Sequence, residues 1–151
     1  MLFRSGALRR GLKLDEAVTA AGRLREKGHR QTKMQLGLPG VTTPAREVEQ
    51  ARLIRQAVGP DMDLMCDINQ RWRPDQAIDI GRRVEDAGAG LFWLEDVTTH
   101  DDYAGLARVT AALSTPVAGG EYLYGIVPFR HMLEARSVDI VMIDQIGRAH
   151  V

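Results

Sequence analysis

Residues 63–70 read DLMCDINQ, a short apolar run that closes on an acid, Asp67, and then turns. Leu64, Met65 and Cys66 are apolar on both alternating faces, as a strand covered on both sides must be. Working outward, the same grammar recurs. Short apolar runs at 32–36, 64–68, 90–94, 116–119 and 138–143 alternate with amphipathic stretches at 15–27, 44–58, 74–87, 103–113 and 128–135. Strands that each feed a helix predict an α/β chain with parallel strands and outer helices. The helix ends are marked as well. Thr43 before Pro44, with Glu47 in the first turn, reads as a helix start, and Gly28, Gly59 and Gly88 read as stops.

Four of the runs end in an acid: DLMCD at Asp67, LFWLE at Glu95, PVAGGE at Glu121 and IVMID at Asp144. The separations of 28, 26 and 23 residues fit successive β/α units of either a barrel or an open sheet. No G-x-G-x-x-G follows the first strand, which counts against a dinucleotide site. In a parallel barrel all strand C-termini open on one face, where active sites are built, so these acids would converge there. Taken singly, each acid is equally a helix cap or a surface residue; three at one register argue for a site. Converging carboxylates are hard oxygen ligands suited to Mg²⁺, and a divalent cation would relieve their mutual repulsion.

At the end of the first run, Lys33 and Gln35 are separated by one residue and so share a face. Lys33 is a candidate for holding a substrate carboxylate or acting as a base. Asn69, two beyond Asp67, is a candidate substrate contact. Tyr122, Tyr124 and Trp72 follow strand ends and are candidates for lining a pocket. Phe92 and Trp93 read as core, and Cys66 as a packing residue facing the helices. His29, His100, His131 and His150 fall at neither strand ends nor metal-ligand spacing and read as surface.

The bulk numbers narrow the classes. The 151 residues carry 20 Lys+Arg against 20 Asp+Glu, so no net charge steers the chain toward nucleic acid or a membrane surface. No apolar run is long enough to span a bilayer, and no secretory h-region follows the N-terminus. One cysteine cannot form an internal disulfide, so a cytoplasmic location is expected.

Lys33-Met-Gln35-Leu-Gly, Asp67-Ile-Asn69-Gln, Trp93-Leu-Glu95-Asp96, Gly120-Glu121 and Ile143-Asp144 stand in order across nearly the whole chain. Together they resemble the motifs of the mandelate racemase/muconate lactonizing enzyme family of the enolase superfamily. The resemblance implies a TIM-like (β/α)₇β barrel, Mg²⁺ held by Asp67, Glu95 and Glu121, and abstraction of the proton alpha to a substrate carboxylate. It implies a sugar-acid substrate, a dehydratase or a racemase/epimerase activity, and a homo-oligomeric parent. The family carries Lys-x-Lys where this chain has Lys33-x-Gln35, and glutamine cannot take a proton. Lys33 would then bind the carboxylate. The base would be the His of a His–Asp dyad to which Asp144 contributes the Asp, the His lying outside this chain. A one-base dehydratase fits best; a non-catalytic relative that only binds a cation or ligand is the alternative. An aldolase-like barrel with a Schiff base on Lys33 would have no use for three clustered acids.

The same resemblance implies that the chain supplies about strands two to six of the barrel and would be inactive alone. Residues 1–5 (MLFRS) and 146–151 (IGRAHV) read as translated sequencing-adapter ends, leaving 6–145 as the partial barrel domain.

Overall fold

The computed structural model describes residues 3–38, 40 and 43–143. Six strands and five helices alternate: β1 Phe3–Leu8, α1 Leu14–Glu26, β2 Gln31–Gln35, α2 Pro44–Val58, β3 Asp63–Asp67, α3 Pro74–Asp86, β4 Trp93–Glu95, α4 Tyr103–Ala112, β5 Val117–Gly119, α5 Ile126–Glu134 and β6 Ile140–Val141. The strands form one sheet in sequence order, every neighbouring pair parallel. Sequential order with a helix between parallel neighbours is the layout of a partial β/α barrel.

The partial barrel therefore has one strand more than the five expected. FRSGAL, the sequence of β1, has no β-branched residue and interrupts its run with Arg4, Ser5 and Gly6, so nothing in its pattern marks a strand. It is held by pairing with β2, Phe3 opposite Gln31 and Leu8 opposite Met34, with a register irregularity between.

The packing follows the alternation along the strands. Met34, Cys66, Leu94 and Val117 are fully buried or nearly so and belong to the core. They meet the apolar stripes of the helices: Ala17, Ala21 and Leu24 of α1, Ala51, Ile54 and Val58 of α2, and Ala77, Ile80 and Val84 of α3. Burying a Leu or Ile side chain contributes roughly 1.5–3 kcal/mol, which makes this layer the main source of stability. Cys66 is buried as expected, and burial pushes its thiol well above the usual value. Thr43 and Pro44 open α2, although the Thr43 side chain makes no capping bond. Among the described residues, no helix is long and apolar enough to cross a membrane.

Two expectations need correction. Phe92 is exposed, because it lies in the bend before the short β4 and strand alternation does not place it. Trp93, the first residue of β4, is half-buried. Tyr124 is almost fully exposed, whereas Trp72, buried beside α3, does line a cavity, with Gly37, Glu47 and Arg71.

Candidate functional site

The sheet register builds the site. Gln35 pairs with Asp67 and Asp67 with Glu95, so three polar residues form one row across the ends of β2, β3 and β4. Two residues back, Lys33, Met65 and Trp93 form the next row on the same face. Lys33 reaches diagonally to Glu95, with Nζ 2.5 Å from Oε1. Trp93 Nε1 donates to the other oxygen, Oε2, at 3.0 Å. Glu95 is fully buried yet has a partner at each oxygen, which is what a buried carboxylate requires.

Asp67 is held from one side. Asn69 donates to it twice, from its backbone N to Oδ1 and from Nδ2 to Oδ2, both at 2.8 Å. Asn69 takes a left-handed backbone with φ 48°, a conformation that asparagine tolerates better than most residues. The turn is what bends its side chain back over the strand end.

Asp96 is the residue that strand reasoning missed. Following Glu95 directly, it would point to the helix layer if β4 continued. Its φ of 47° breaks the alternation, and both acids enter one cluster. Carboxylate oxygens of Asp67, Glu95 and Asp96, all buried, lie within 4.8 Å of one another. Asp96 Oδ2 is buried with no hydrogen-bond donor. The signal available in the sequence was the doubled acid, Glu95-Asp96, at the end of a strand.

Glu121 stands beside this trio, on the turn after β5. It follows Gly120, whose φ of 126° and close approach to the Met142 carbonyl, 2.5 Å from where a Cβ would sit, leave room only for glycine. Burial, then the charges of Glu95 and Asp67, raise the Glu121 pKa. Burial, then Glu121, Glu95 and Asp67, push Asp96 up to about 8. Burial by itself would lower the Lys33 pKa, but its hydrogen bond to Glu95 and the charges of Glu95, Asp67 and Glu121 raise it. Four acids thus crowd a lysine that stays protonated. The donor set is all hard oxygen, and an orphaned Asp96 oxygen faces like charges. That is the chemistry a divalent cation fits.

Of the residues singled out from the sequence, Lys33, Gln35, Asp67, Asn69, Glu95 and Glu121 come together on this face. Asp144 lies outside the described residues. Gln35 accepts from the backbone N of Arg10 and donates to Asn69 Oδ1, both at 3.3 Å. Tyr122 stacks on His100 with ring centroids 6.0 Å apart at the rim.

The chain is similar in sequence and fold to known proteins. L-Ala-D/L-Glu epimerase of Bacillus subtilis is 32% identical over 129 residues, 85% of this chain and 34% of that protein. D-galactarolactone cycloisomerase of Agrobacterium fabrum is 36% identical over 133 residues, 88% of this chain and 33% of its own. The crystal structure of L-talarate/galactarate dehydratase from Salmonella typhimurium, liganded with Mg and L-lyxarohydroxamate, superposes with a TM-score of 0.83 at 29% identity, covering 94% of this chain and 35% of that one. The chain thus spans about a third of the length of the relatives it matches. The family model for the enolase C-terminal domain matches residues 16–147. Sheet order, strand-end acids and that match agree: the chain belongs to the enolase C-terminal domain-like family.

Proposed function

We propose that the intact protein to which this chain belongs is a Mg²⁺-dependent enzyme that removes the proton alpha to the carboxylate of a sugar acid and eliminates water. The observation that carries this reading is the convergence of Asp67, Glu95 and Asp96, with Glu121 beside them, around a single protonated lysine. Asp67 and Glu95, with Glu121 or Asp96, would hold the cation. When bound, it supplies positive charge toward the substrate carboxylate and lowers the cost of charge developing there.

The chain's own residues divide the remaining work. Lys33, kept protonated by its acidic neighbours, is suited to pair with the substrate carboxylate and not to abstract a proton. Gln35 has both amide ends engaged and no basic atom, so this side of the site offers no base. A base on the opposite side, partnered by Asp144, completes a one-base elimination. The occupied Gln35 favours dehydration over the two-base racemisation or epimerisation found elsewhere in the superfamily. A small sugar-acid carboxylate is the proposed substrate, and the intact protein is proposed to be a homo-oligomer.

The test is a panel of acid sugars incubated with the intact gene product and Mg²⁺ in D₂O, followed by NMR. Loss of the alpha-proton signal and appearance of a keto acid are expected. If no acid sugar exchanges its alpha proton at any Mg²⁺ concentration, the dehydratase reading is wrong.

A further inference from the structure

Arg10, in the turn between β1 and α1, crosses over the ends of two strands. Its Nε donates to the Leu36 carbonyl at 3.0 Å, and its Nη2 donates to the Ile68 carbonyl at 3.3 Å and to Asn69 Oδ1 at 2.6 Å. Its backbone N donates to Gln35 Oε1, and Gln35 Nε2 donates in turn to the same Asn69 oxygen. Asn69 Oδ1 therefore takes two donors. The Asn69 Nδ2 is left to acceptors on the other side, Asp67 Oδ2 with the Tyr122 side chain beside it. The amide cannot flip without setting donor against donor on one end and acceptor against acceptor on the other.

We propose that Arg10 is a positioning residue for Asp67: together with Gln35 it locks the Asn69 carboxamide, and Asn69 in turn holds the Asp67 carboxylate, Oδ2 through that carboxamide and Oδ1 through its backbone N. This rests on the reading of Asp67 as a ligand of a divalent cation. It assigns work to Gln35, which in a two-base relative would be a lysine, and it draws the β1–α1 turn into a site otherwise built from β2 onward. Partners of this kind fix ligand orientation, and losing one weakens metal binding about 10–100-fold.

The direction of the effect separates positioning from plain electrostatics. Arg10 is a cation near the acidic site, so removing its charge alone would tighten the binding of another cation. Removing a positioning residue weakens it. The experiment titrates the intact gene product with Mn²⁺, following the free ion by electron paramagnetic resonance and the folded state by circular dichroism. Arg10→Met is expected to bind Mn²⁺ about 10-fold more weakly than wild type. In an Asn69→Ala background, the same Arg10 substitution is expected to cost nothing further, because its effect passes through Asn69. In ¹H–¹⁵N spectra the Asn69 Nδ2 amide pair is expected to be well separated and slow to exchange in wild type, and to collapse in Arg10→Met. Gln35→Met, which removes the second donor to Asn69, serves if Arg10→Met does not fold; weaker Mn²⁺ binding is expected there too. Equal or tighter binding by folded Arg10→Met or Gln35→Met, or additivity with Asn69→Ala, overturns the inference and leaves the metal site standing. No binding by wild type at millimolar Mn²⁺ overturns both.

Discussion

Replacing Asp96 by asparagine is expected to stabilise the metal-free chain at neutral pH and to remove most of its pH dependence. The Asp96 carboxyl is raised from 3.8 to about 8, first by burial and then by Glu121, Glu95 and Asp67. Between those two values the folded chain keeps a proton that the unfolded chain has lost. Stability is therefore fully present below pH 4 and declines as pH rises toward 8, at about 1.4 kcal/mol per pH unit. Across the window the loss is on the order of 5 kcal/mol, comparable with the whole stability of a small domain. Glu121, also raised, adds to the same slope. Lys33 is raised from a value already above this window and contributes no slope within it. The assay is urea unfolding in EDTA from pH 4.5 to 8.5. Asp96→Asn is expected to match wild type at the acid end and to exceed it by several kcal/mol at pH 8. Saturating Mg²⁺ is expected to flatten the wild-type slope, because a bound cation neutralises the same carboxylates. Parallel pH profiles for Asp96→Asn and wild type in EDTA would refute the reasoning.

Other residues give independent checks. Gly120→Ala sets a Cβ against the Met142 carbonyl and forces alanine to φ 126°, so a loss of about 2–4 kcal/mol in thermal unfolding is expected. Arg55 donates to the carbonyls of Ala89, Gly59, Met62 and Gly90 at 2.7–2.8 Å, away from the acids. Arg55→Met is expected to cost about 3 kcal/mol in urea unfolding while leaving Mn²⁺ affinity unchanged. Buried Glu47 accepts from the backbone N of Gly37 and Leu38 and so ties the turn after β2; Glu47→Ala is expected to lose about 2–3 kcal/mol and to speed amide exchange at both residues. Trp93→Phe removes one of the two donors to Glu95, and a several-fold loss of Mn²⁺ affinity by calorimetry is expected.

The apolar runs, the glycine stops and the strand-end acids made the alternation of strands and helices legible, because each is a local pattern with a fixed period. Asp67, Glu95 and Glu121 could be named from their place at strand ends, and parallel strands put such ends on one face. Strand β1 was not legible: FRSGAL has no strand periodicity and is held by its neighbour, a contact between residues almost thirty apart. Asp96 was not legible as part of the cluster either, since simple alternation points it away, and only its left-handed backbone turns it in. Gln35 looked from the sequence like a lost base; the folded chain shows it bonded to Arg10 and Asn69. Residue types and periods are local and are written in the sequence. Which acid completes a cluster, and which distant arginine holds it, depends on backbone angles and on contacts across strands that form only when the sheet does.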